Sequence, residues 1–221
     1  MSGSAVSPVI TSVTVGAFQE NTYLVTDPAT RRAVLIDPGA EPERIIAMVE
    51  QSGAALDAIW LTHAHLDHVG AVAGVKRRWD VPVYLHAADR PLYERADRQA
   101  AAYGLPFEQP DAPERELRHG DTLGVGSLAF AVHHTPGHAP GHCVFVGHGV
   151  MLGGDLLFAG SIGRTDLPLS DPRAMQASLV HVAAFDEATV VHPGHGPRTT
   201  IGHERATNGF LTGLVRVVAR G

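Results

Sequence analysis

Thr62-His63-Ala64-His65-Leu66-Asp67-His68-Val69-Gly70 is the segment from which both the architecture and the chemistry of this chain can be inferred. It carries four metal-binding side chains within six residues, namely His63, His65, Asp67 and His68. His63 and His65 are two positions apart, and such residues point to the same side of an extended segment, so their imidazoles can hold one cation. Asp67 and His68 come on the following turn and face elsewhere. The segment therefore predicts a pair of ligands for each of two metal ions.

Three further candidate ligands lie beside glycines in turns that follow predicted strands: His138, Asp155 and His195. Catalytic metal sites draw their remaining ligands from separate loops, which suits this dispersed arrangement. The Asp155 carboxylate has two oxygens and can bridge two cations, which a neutral histidine cannot do. His142 and His192 lie close to His138 and His195 in the chain, and spacing alone leaves the choice within each pair open.

The alternative to a metal site is a set of ordinary polar residues. A lone histidine is usually a surface or core residue, and we expect this of nine of the 14 histidines, including His86, His119, His181 and His203. Asp67 by itself could cap a helix. Four such side chains in one short segment have no evident structural purpose, which favours metal binding.

Bulk properties describe an ordinary globular protein. The chain has 221 residues, 44% hydrophobic and 18% charged, and we expect one domain over residues 1–221. The net charge of −6, from 17 basic and 23 acidic residues, predicts no nucleic-acid or anionic-membrane partner. The single cysteine, Cys143, excludes an internal disulfide and is predicted to be buried.

Targeting signals are not evident. Met1 to Pro8 contains neither a basic region nor an apolar stretch, so no signal peptide is predicted. No apolar run approaches the ~20 residues needed to span a bilayer. We therefore expect a cytoplasmic, soluble protein that is a monomer or a homodimer.

Strand-like and helix-like segments alternate through both halves of the chain. The predicted strands are Val9–Val15, Asn21–Thr26, Arg32–Asp37, Ala58–Leu61, Val83–Leu85, Leu128–His133, His142–Val146, Val150–Leu152 and Thr189–His192. The predicted helices begin at Glu41-Pro42 and Asp171-Pro172, cover Val69–Trp79 and Ala88–Ala101, and fill the segment after His195 to Gly221. This alternation predicts an α/β fold with helices covering the faces of the sheets.

His-x-His-x-Asp-His, followed by Gly-His, Gly-Asp and Gly-His in this order, resembles the metallo-β-lactamase superfamily from about Gln19 to His195. The resemblance implies a four-layer αββα sandwich with the metals at one edge of two facing sheets. It implies that His63, His65 and His138 hold one metal, that Asp67, His68 and His195 hold the other, and that Asp155 lies between them. Asp37, in Leu-Ile-Asp-Pro-Gly, resembles the family's structural aspartate, which supports the site without binding metal.

Within the superfamily the chain is most similar to glyoxalase II-like hydrolases, which cleave hydroxyacyl-glutathione thioesters. Gln19-Glu20-Asn21-Thr22-Tyr23 and Gly154-Asp155-Leu156-Leu157-Phe158 carry this resemblance. Two departures concern glutathione. Larger glyoxalase II enzymes hold it with a lysine and a tyrosine, where this chain reads Gly160-Ser161-Ile162-Gly163-Arg164-Thr165-Asp166, and with a helical C-terminal domain, whereas only 26 residues follow His195. Short bacterial glyoxalase II-like proteins and persulfide dioxygenases share both departures.

Our leading hypothesis is hydrolysis of a small thioester by two divalent metal ions, Zn²⁺ in the first place and iron or manganese as alternatives. Asp67 would orient the nucleophile as well as bind metal. A thiolate with a parent pKa near ~8.5 leaves without a general acid, which favours a thioester or ester over an amide. Arg164 is the candidate contact for a substrate anion, and a glutathione conjugate is one candidate substrate.

Other functions remain open at this point. A persulfide dioxygenase holds one iron with two histidines and a carboxylate, for which His63, His138 and Asp155 would suffice. Asp67, His68 and His195 would then have no evident use, and His142 stands where those enzymes often have cysteine. Another ester or lactone hydrolase of the same fold, or a metal-binding regulatory protein without turnover, would carry the same ligands.

Overall fold

A computed structural model describes residues 7–217. Its first sheet contains, in spatial order, β1 (Val9–Val15), β2 (Glu20–Asp27), β3 (Arg32–Ile36), β4 (Ala55–Trp60), β5 (Val83–His86) and β6 (Arg115–Leu117). The first three strands are antiparallel neighbours, and the pairs from β3 to β6 are parallel. Parallel neighbours need crossover connections, and helices supply them here. These helices are α1 (Pro42–Ser52), α2 (Leu66–Val69), α3 (Val72–Arg78), α4 (Arg90–Tyr93) and α5 (Ala96–Ala102).

The second half of the chain forms another six-stranded sheet. In chain order its elements are β7 (Thr122–Val125), β8 (Leu128–His134), β9 (Cys143–Gly147), β10 (Val150–Gly154), the hairpin β11 (Leu157–Phe158) and β12 (Ser161–Ile162), α6 (Pro172–Ala183), β13 (Val190–Pro193), β14 (Thr199–Thr200) and α7 (Ile201–Thr207). The order across the sheet is β14-β13-β10-β9-β8-β7, and β11 pairs only with β12. Strands β8, β10 and β13 run in the same direction, so their carboxyl ends meet at one edge.

The two sheets face each other between layers of helix. Alternate residues of β3 show this: Ala33 and Leu35 pack against α1 and α3, whereas Val34 and Ile36 pack against the second sheet. Trp60 fills the space between the sheets, with its ring centroid 6.0 Å from that of Phe130 and 5.4 Å from that of Phe145. Helix α6 covers the outer face of the second sheet through Met175, Leu179 and Val182. The predicted αββα sandwich is confirmed.

Two predicted helices are interrupted. The helix expected over Val69–Trp79 instead begins at Leu66 and breaks at Gly70, because the Ala71 N–H group donates to the Pro38 carbonyl at 2.9 Å. The helix expected over Ala88–Ala101 is a 3-10 turn followed by α4 and α5, with a break after Tyr93. At Gly70 the helix breaks because the Ala71 N–H group bonds to the turn at Pro38 instead of to the helix, and no local sequence pattern indicates this contact.

The helical prediction for the segment after His195 was correct only for Ile201–Thr207, because β14 precedes that helix and the chain is not helical from Asn208 to residue 217. The Asn208 side chain donates to the Ser161 carbonyl at 3.0 Å and to Glu204 at 2.8 Å, and turns follow. Residues 218–221, on which the prediction also fell, lie outside the described part. Cys143 is buried, as expected. Within residues 7–217 no helix combines the length and apolar character that crossing a membrane requires.

Candidate metal centre

All seven predicted ligands lie at the carboxyl ends of strands, along one edge of the sandwich. His63 and His65 follow β4, and Asp67 and His68 lie in α2. His138 lies in the loop after β8, Asp155 directly follows β10, and His195 follows β13. Potential ligand atoms of His63, His65 and His138 lie within 4.8 Å of one another, as do those of Asp67, His68 and His195. We call these two sets the first trio and the second trio.

The first trio is a buried group of imidazoles. Nδ1 of His65 lies 2.8 Å from Nε2 of His138. The ring centroid of His63 lies 4.7 Å from that of His65 and 4.9 Å from that of His138. Burial lowers the pKa of all three histidines. The pKa of His65 falls to about 3, and the electrostatic effect of His138 is the second cause of that shift. The rings are therefore neutral at physiological pH and keep lone pairs for a cation.

Asp155 touches both trios. Its Oδ2 lies 3.4 Å from Nε2 of His138 and 3.4 Å from Nε2 of His195, and its Oδ1 lies 3.4 Å from Nε2 of His68. Asp67 Oδ2 lies 3.3 Å from Nε2 of His195. Two donors bound tetrahedrally to one ion at ~2.0–2.2 Å are about 3.4 Å apart. The spacing in the cluster is therefore that of ligands around shared cations.

Three buried atoms of the cluster lack a hydrogen-bond partner in the described part of the chain: His63 Nε2, His68 Nε2 and Asp155 Oδ1. Native proteins pair nearly all buried polar atoms, because an unpaired one costs about 1–3 kcal/mol. Cations coordinated by the two trios would satisfy all three atoms. The donor set, nitrogens of imidazole and oxygens of carboxylate, suits Zn²⁺ and divalent iron.

Hydrogen bonds on the opposite side of each ring fix the histidine tautomers. His138 Nδ1 lies 2.8 Å from the Arg164 carbonyl, and His195 Nδ1 lies 3.1 Å from the Phe18 carbonyl. A carbonyl oxygen only accepts, so Nδ1 of each ring carries the hydrogen. In the neutral form of each ring, Nε2 of His138 and of His195 is then the nitrogen that can bind a cation.

Asp37 orients His68 directly and His63 through the Thr62 hydroxyl. It accepts hydrogen bonds from Thr62 N at 2.7 Å, Thr62 Oγ1 at 2.6 Å and His68 Nδ1 at 3.0 Å. The Thr62 hydroxyl oxygen in turn accepts from His63 Nδ1 at 3.0 Å. The backbone of Asp37 has φ 49°, a left-handed conformation that costs a non-glycine residue about 1 kcal/mol or more. Potential ligand atoms of Asp37, His63 and His68 also lie within 4.8 Å of one another, so the role of Asp37 as a support that does not bind metal stays a prediction.

Asp89, which the sequence analysis overlooked, ties the two ligand loops together. Its oxygens accept from the N–H groups of Ala64, between the first two ligands, at 3.0 Å and of Gly141, after His138, at 2.5 Å. Burial raises the pKa of Asp89 to about 6, against the lowering effect of these two donors. In sequence, an aspartate after a strand carried no signal that distinguishes this role.

His142, left open as an alternative to His138, serves a different purpose. Its Nε2 accepts the Asp155 N–H group at 3.1 Å, and its Nδ1 donates to the Thr135 hydroxyl at 2.9 Å. His142 thus orients the backbone of Asp155 and belongs to neither trio. His192 packs its ring edge-on against Tyr23 at 5.4 Å and also lies outside the trios.

Strand β2 of the first sheet holds the loop that carries His195. The Asn21 N–H group donates to the Gly194 carbonyl at 2.7 Å, and the Asn21 amide donates to the Gly196 carbonyl at 2.8 Å. The Tyr23 hydroxyl donates to the Pro193 carbonyl at 2.7 Å. A Cβ at Gly194 would collide with Asp155 Oδ1, so the loop needs glycine there. These bonds cross between the sheets and fix His195 beside Asp155.

The second trio has the opposite charge character to the first. Burial alone would lower the pKa of His195, but hydrogen bonds to Asp155 and Asp67 raise it to about 9. Burial likewise opposes protonation of His68, yet Asp155 and Asp67 raise its pKa. In the metal-free protein this half of the cluster therefore binds protons that a cation would displace.

A cavity of about 590 Å³ opens over the cluster. Its floor is formed by residues of both trios and Asp155, and its walls are largely apolar. Arg164 also lines the cavity, and its guanidinium forms a two-pronged ion pair with Asp166, at 2.6 Å from Nε to Oδ1 and 3.0 Å from Nη2 to Oδ2.

Comparison with known proteins gives a consistent result. The family model described as the metallo-beta-lactamase superfamily matches residues 15–195. Hydroxyacylglutathione hydrolase GloC of Haemophilus influenzae is 38% identical over 204 residues, which cover 90% of this chain and 96% of that protein. TTHA1623, solved in a di-iron-bound form, is 50% identical with a TM-score of 0.85, over 91% of this chain and 100% of that one. ETHE1 from Myxococcus xanthus is 28% identical with a TM-score of 0.79, over 93% and 85%.

Proposed function

The chain belongs to the metallo-beta-lactamase superfamily of metal-dependent hydrolases, and on that premise we propose that it hydrolyses thioesters with two metal ions. The observation that carries the proposal is the position of Asp155, whose two carboxylate oxygens lie 3.4 Å from histidines of both trios. A mononuclear site of His63, His138 and Asp155 would leave the second trio without a use. The similarity to a hydroxyacylglutathione hydrolase supports the thioester as the bond that is cleaved.

The ligand assignment follows the two trios. We propose that His63, His65 and His138 bind one divalent ion and that Asp67, His68 and His195 bind the other, with Asp155 shared. Zn²⁺ is our first expectation, and iron is the alternative that the di-iron form of the TTHA1623 neighbour supports. Because the ligands come from both sheets, we also propose that the whole chain works as one domain.

Two divalent cations in such a site supply a hydroxide nucleophile near neutral pH and polarise the substrate carbonyl. The side chains do the positioning. Asp67 is open to the cavity and is the carboxylate that we propose orients the attacking water. A thiolate leaves without a proton donor, so the cavity needs no general acid. Arg164, the predicted contact for an anionic part of a substrate, lies on the wall, but its guanidinium is already paired with Asp166.

A persulfide dioxygenase is the second candidate, because ETHE1 from Myxococcus xanthus shares the fold at 28% identity. Such an enzyme would use one iron held by His63, His138 and Asp155. Against it, Asp67, His68 and His195 also bring potential ligand atoms within 4.8 Å of one another. His142, at the position where a cysteine is often found in those enzymes, is occupied in holding Asp155.

Metal analysis and two assays on the same preparation separate these candidates. The protein as isolated is expected to contain two metal equivalents and to release thiol from S-lactoylglutathione or a simpler thioester. Loss of activity with a chelator and recovery with Zn²⁺ or Fe²⁺ would complete the case. One iron per chain, with oxygen uptake on glutathione persulfide and no thioester turnover, would instead support the dioxygenase.

A further inference from the structure

The cavity above the metal centre has a polar floor and apolar walls. Its volume of about 590 Å³ is within the usual range of pockets for small organic ligands. The floor is formed by His65, Asp67, His138, Asp155 and His195. The larger apolar wall residues include Phe18, Leu66, Leu92, Tyr103, Phe158 and Ile162. A substrate whose reacting carbonyl reaches the floor therefore places its neighbouring atoms against hydrocarbon.

The positive charge of Arg164 on the cavity wall is neutralised by an ion pair with Asp166. Among the described residues that line the cavity the one arginine or lysine is Arg164, and Asp166 holds its guanidinium at 2.6 and 3.0 Å. Glutathione brings two carboxylates into any site that binds it. An anion that leaves water without a cationic partner is strongly disfavoured. The cavity is thus poorly suited to the glutathione part of a conjugate.

Two aromatic rings mark the mouth of the cavity. Phe18 and Tyr103 meet edge to face with centroids 5.1 Å apart, and they remain 37% and 55% exposed. Phe18 lies in the turn between β1 and β2, and Tyr103 follows α5, so the pair links two separate parts of the first sheet's surface. Exposed aromatic surface next to a pocket is typical of a place where an apolar ligand is covered.

We infer that this cavity binds an apolar acyl group, so that the preferred substrates are apolar acyl thioesters rather than glutathione conjugates. The inference rests on the proposed thioester hydrolysis. In that reaction the oxygen of water forms a bond to the acyl carbon and the carbon–sulfur bond breaks. The products are a carboxylic acid and a thiol, and no oxidant or reductant is required.

The test is a series of N-acetylcysteamine thioesters with acetyl, butanoyl, hexanoyl and octanoyl groups, beside S-lactoylglutathione, on the metal-loaded protein. Each buried methylene is expected to raise kcat/KM about fourfold until the cavity is filled. The octanoyl ester should exceed both the acetyl ester and S-lactoylglutathione by about 100-fold or more. A flat profile, or S-lactoylglutathione as the best substrate, would overturn the inference and leave the proposed hydrolysis intact.

Binding of thioethers that cannot be hydrolysed tests the apolar cavity independently of the proposed thioester hydrolysis. S-octyl and S-methyl N-acetylcysteamine thioethers have no acyl carbon to attack, so calorimetry with them measures the cavity alone. The octyl thioether is expected to bind at least tenfold more tightly, even if no thioester is turned over. Equal binding of the two thioethers would refute the apolar subsite.

A pair of variants locates the effect. Tyr103→Ser removes an aromatic wall residue that is 55% exposed, and it is expected to lower the octanoyl-to-acetyl ratio of kcat/KM about tenfold. Val180→Ala is the matched control, because Val180 is an apolar residue of α6, 64% exposed and outside the cavity lining. It should leave the chain-length profile unchanged. The same ratio in both variants and the unaltered protein would contradict the assignment of the wall.

Discussion

The Oδ2 atom of Asp37 lies 3.0 Å from Nδ1 of His68, and both side chains are almost fully buried. The other ring nitrogen, Nε2, lies 3.4 Å from Asp155. The imidazole is thus held between two carboxylates, one that fixes its orientation and one that shares its cluster. Because Asp37 accepts from Nδ1, the lone pair for a cation is on Nε2.

Asp37→Asn should weaken binding of the second metal by about 10- to 100-fold, because the amide loses the charge that orients and polarises His68. Competition with a chromophoric chelator measures both dissociation constants. Asp80→Asn, at an exposed aspartate outside the site, is the control. Two unchanged constants in Asp37→Asn would show that the contact with His68 has no bearing on metal binding.

Asp155→Asn should reduce the metal content below two equivalents and lower kcat by about 100-fold or more, because a neutral amide bridges two cations poorly. Metal analysis after dialysis and a thioester assay at saturating substrate provide the two measurements. Circular dichroism checks that the fold persists. A variant that retained both metals and near-normal turnover would argue against a shared carboxylate.

Zinc binding should release protons at pH 7.5. Hydrogen bonds to Asp155 and Asp67 raise the pKa of His195 to about 9 against the effect of burial, so the metal-free ring is charged below that pH. A histidine binds metal only as the neutral imidazole, so zinc binding displaces the proton, and proton release should decline as the pH rises through about 9. Calorimetry in two buffers with different ionisation enthalpies measures the number released. Equal heats in both buffers at pH 7.5 would show that zinc binding releases no protons.

Asp89→Asn should change how stability depends on pH. Burial raises the folded-state pKa of Asp89 from 3.8 to about 6, so the folded protein binds this proton more tightly than the unfolded chain. Ionisation of Asp89 between about pH 4 and pH 6 therefore costs the metal-free wild type stability that the asparagine variant does not lose.

Urea unfolding at pH 4.5 and pH 7 tests this. The free energy of unfolding of wild type minus that of Asp89→Asn should be larger at pH 4.5. A difference that is the same at both pH values would mean that the Asp89 carboxyl titrates normally.

Local patterns predicted an α/β fold with helices on the faces of the sheets, whereas the four-layer arrangement was predicted from the family resemblance. The apolar run of β3 has side chains that pack on both faces, and the Pro-Gly and Gly-Gly turns placed the candidate ligands at strand ends. The grouping of the ligands came from the family resemblance, because spacing alone could not choose between His138 and His142. Both are buried near Asp155, and only the direction in which each ring faces separates their roles.

Tertiary contacts explain what the sequence did not reveal. Asp89 lies 25 residues from Ala64 and 52 from Gly141, and nothing in its neighbours indicates those bonds. The hold of Tyr23 on Pro193 spans 170 residues. Short strands such as β11 and β14 have two residues each, too few for any periodic pattern. These features depend on how the two sheets meet rather than on local propensity.

The space between the sheets is filled by Trp60, Phe130 and Phe145, and none of these residues belongs to the metal-binding cluster. A slide of one sheet by a single residue, about 3.3 Å, would exceed the length of a metal–ligand bond. The packing between the sheets is therefore expected to determine whether ligands from the two sheets can reach the same metal ion. Substitutions in this apolar interior are therefore expected to change metal binding and activity even where every ligand is left in place.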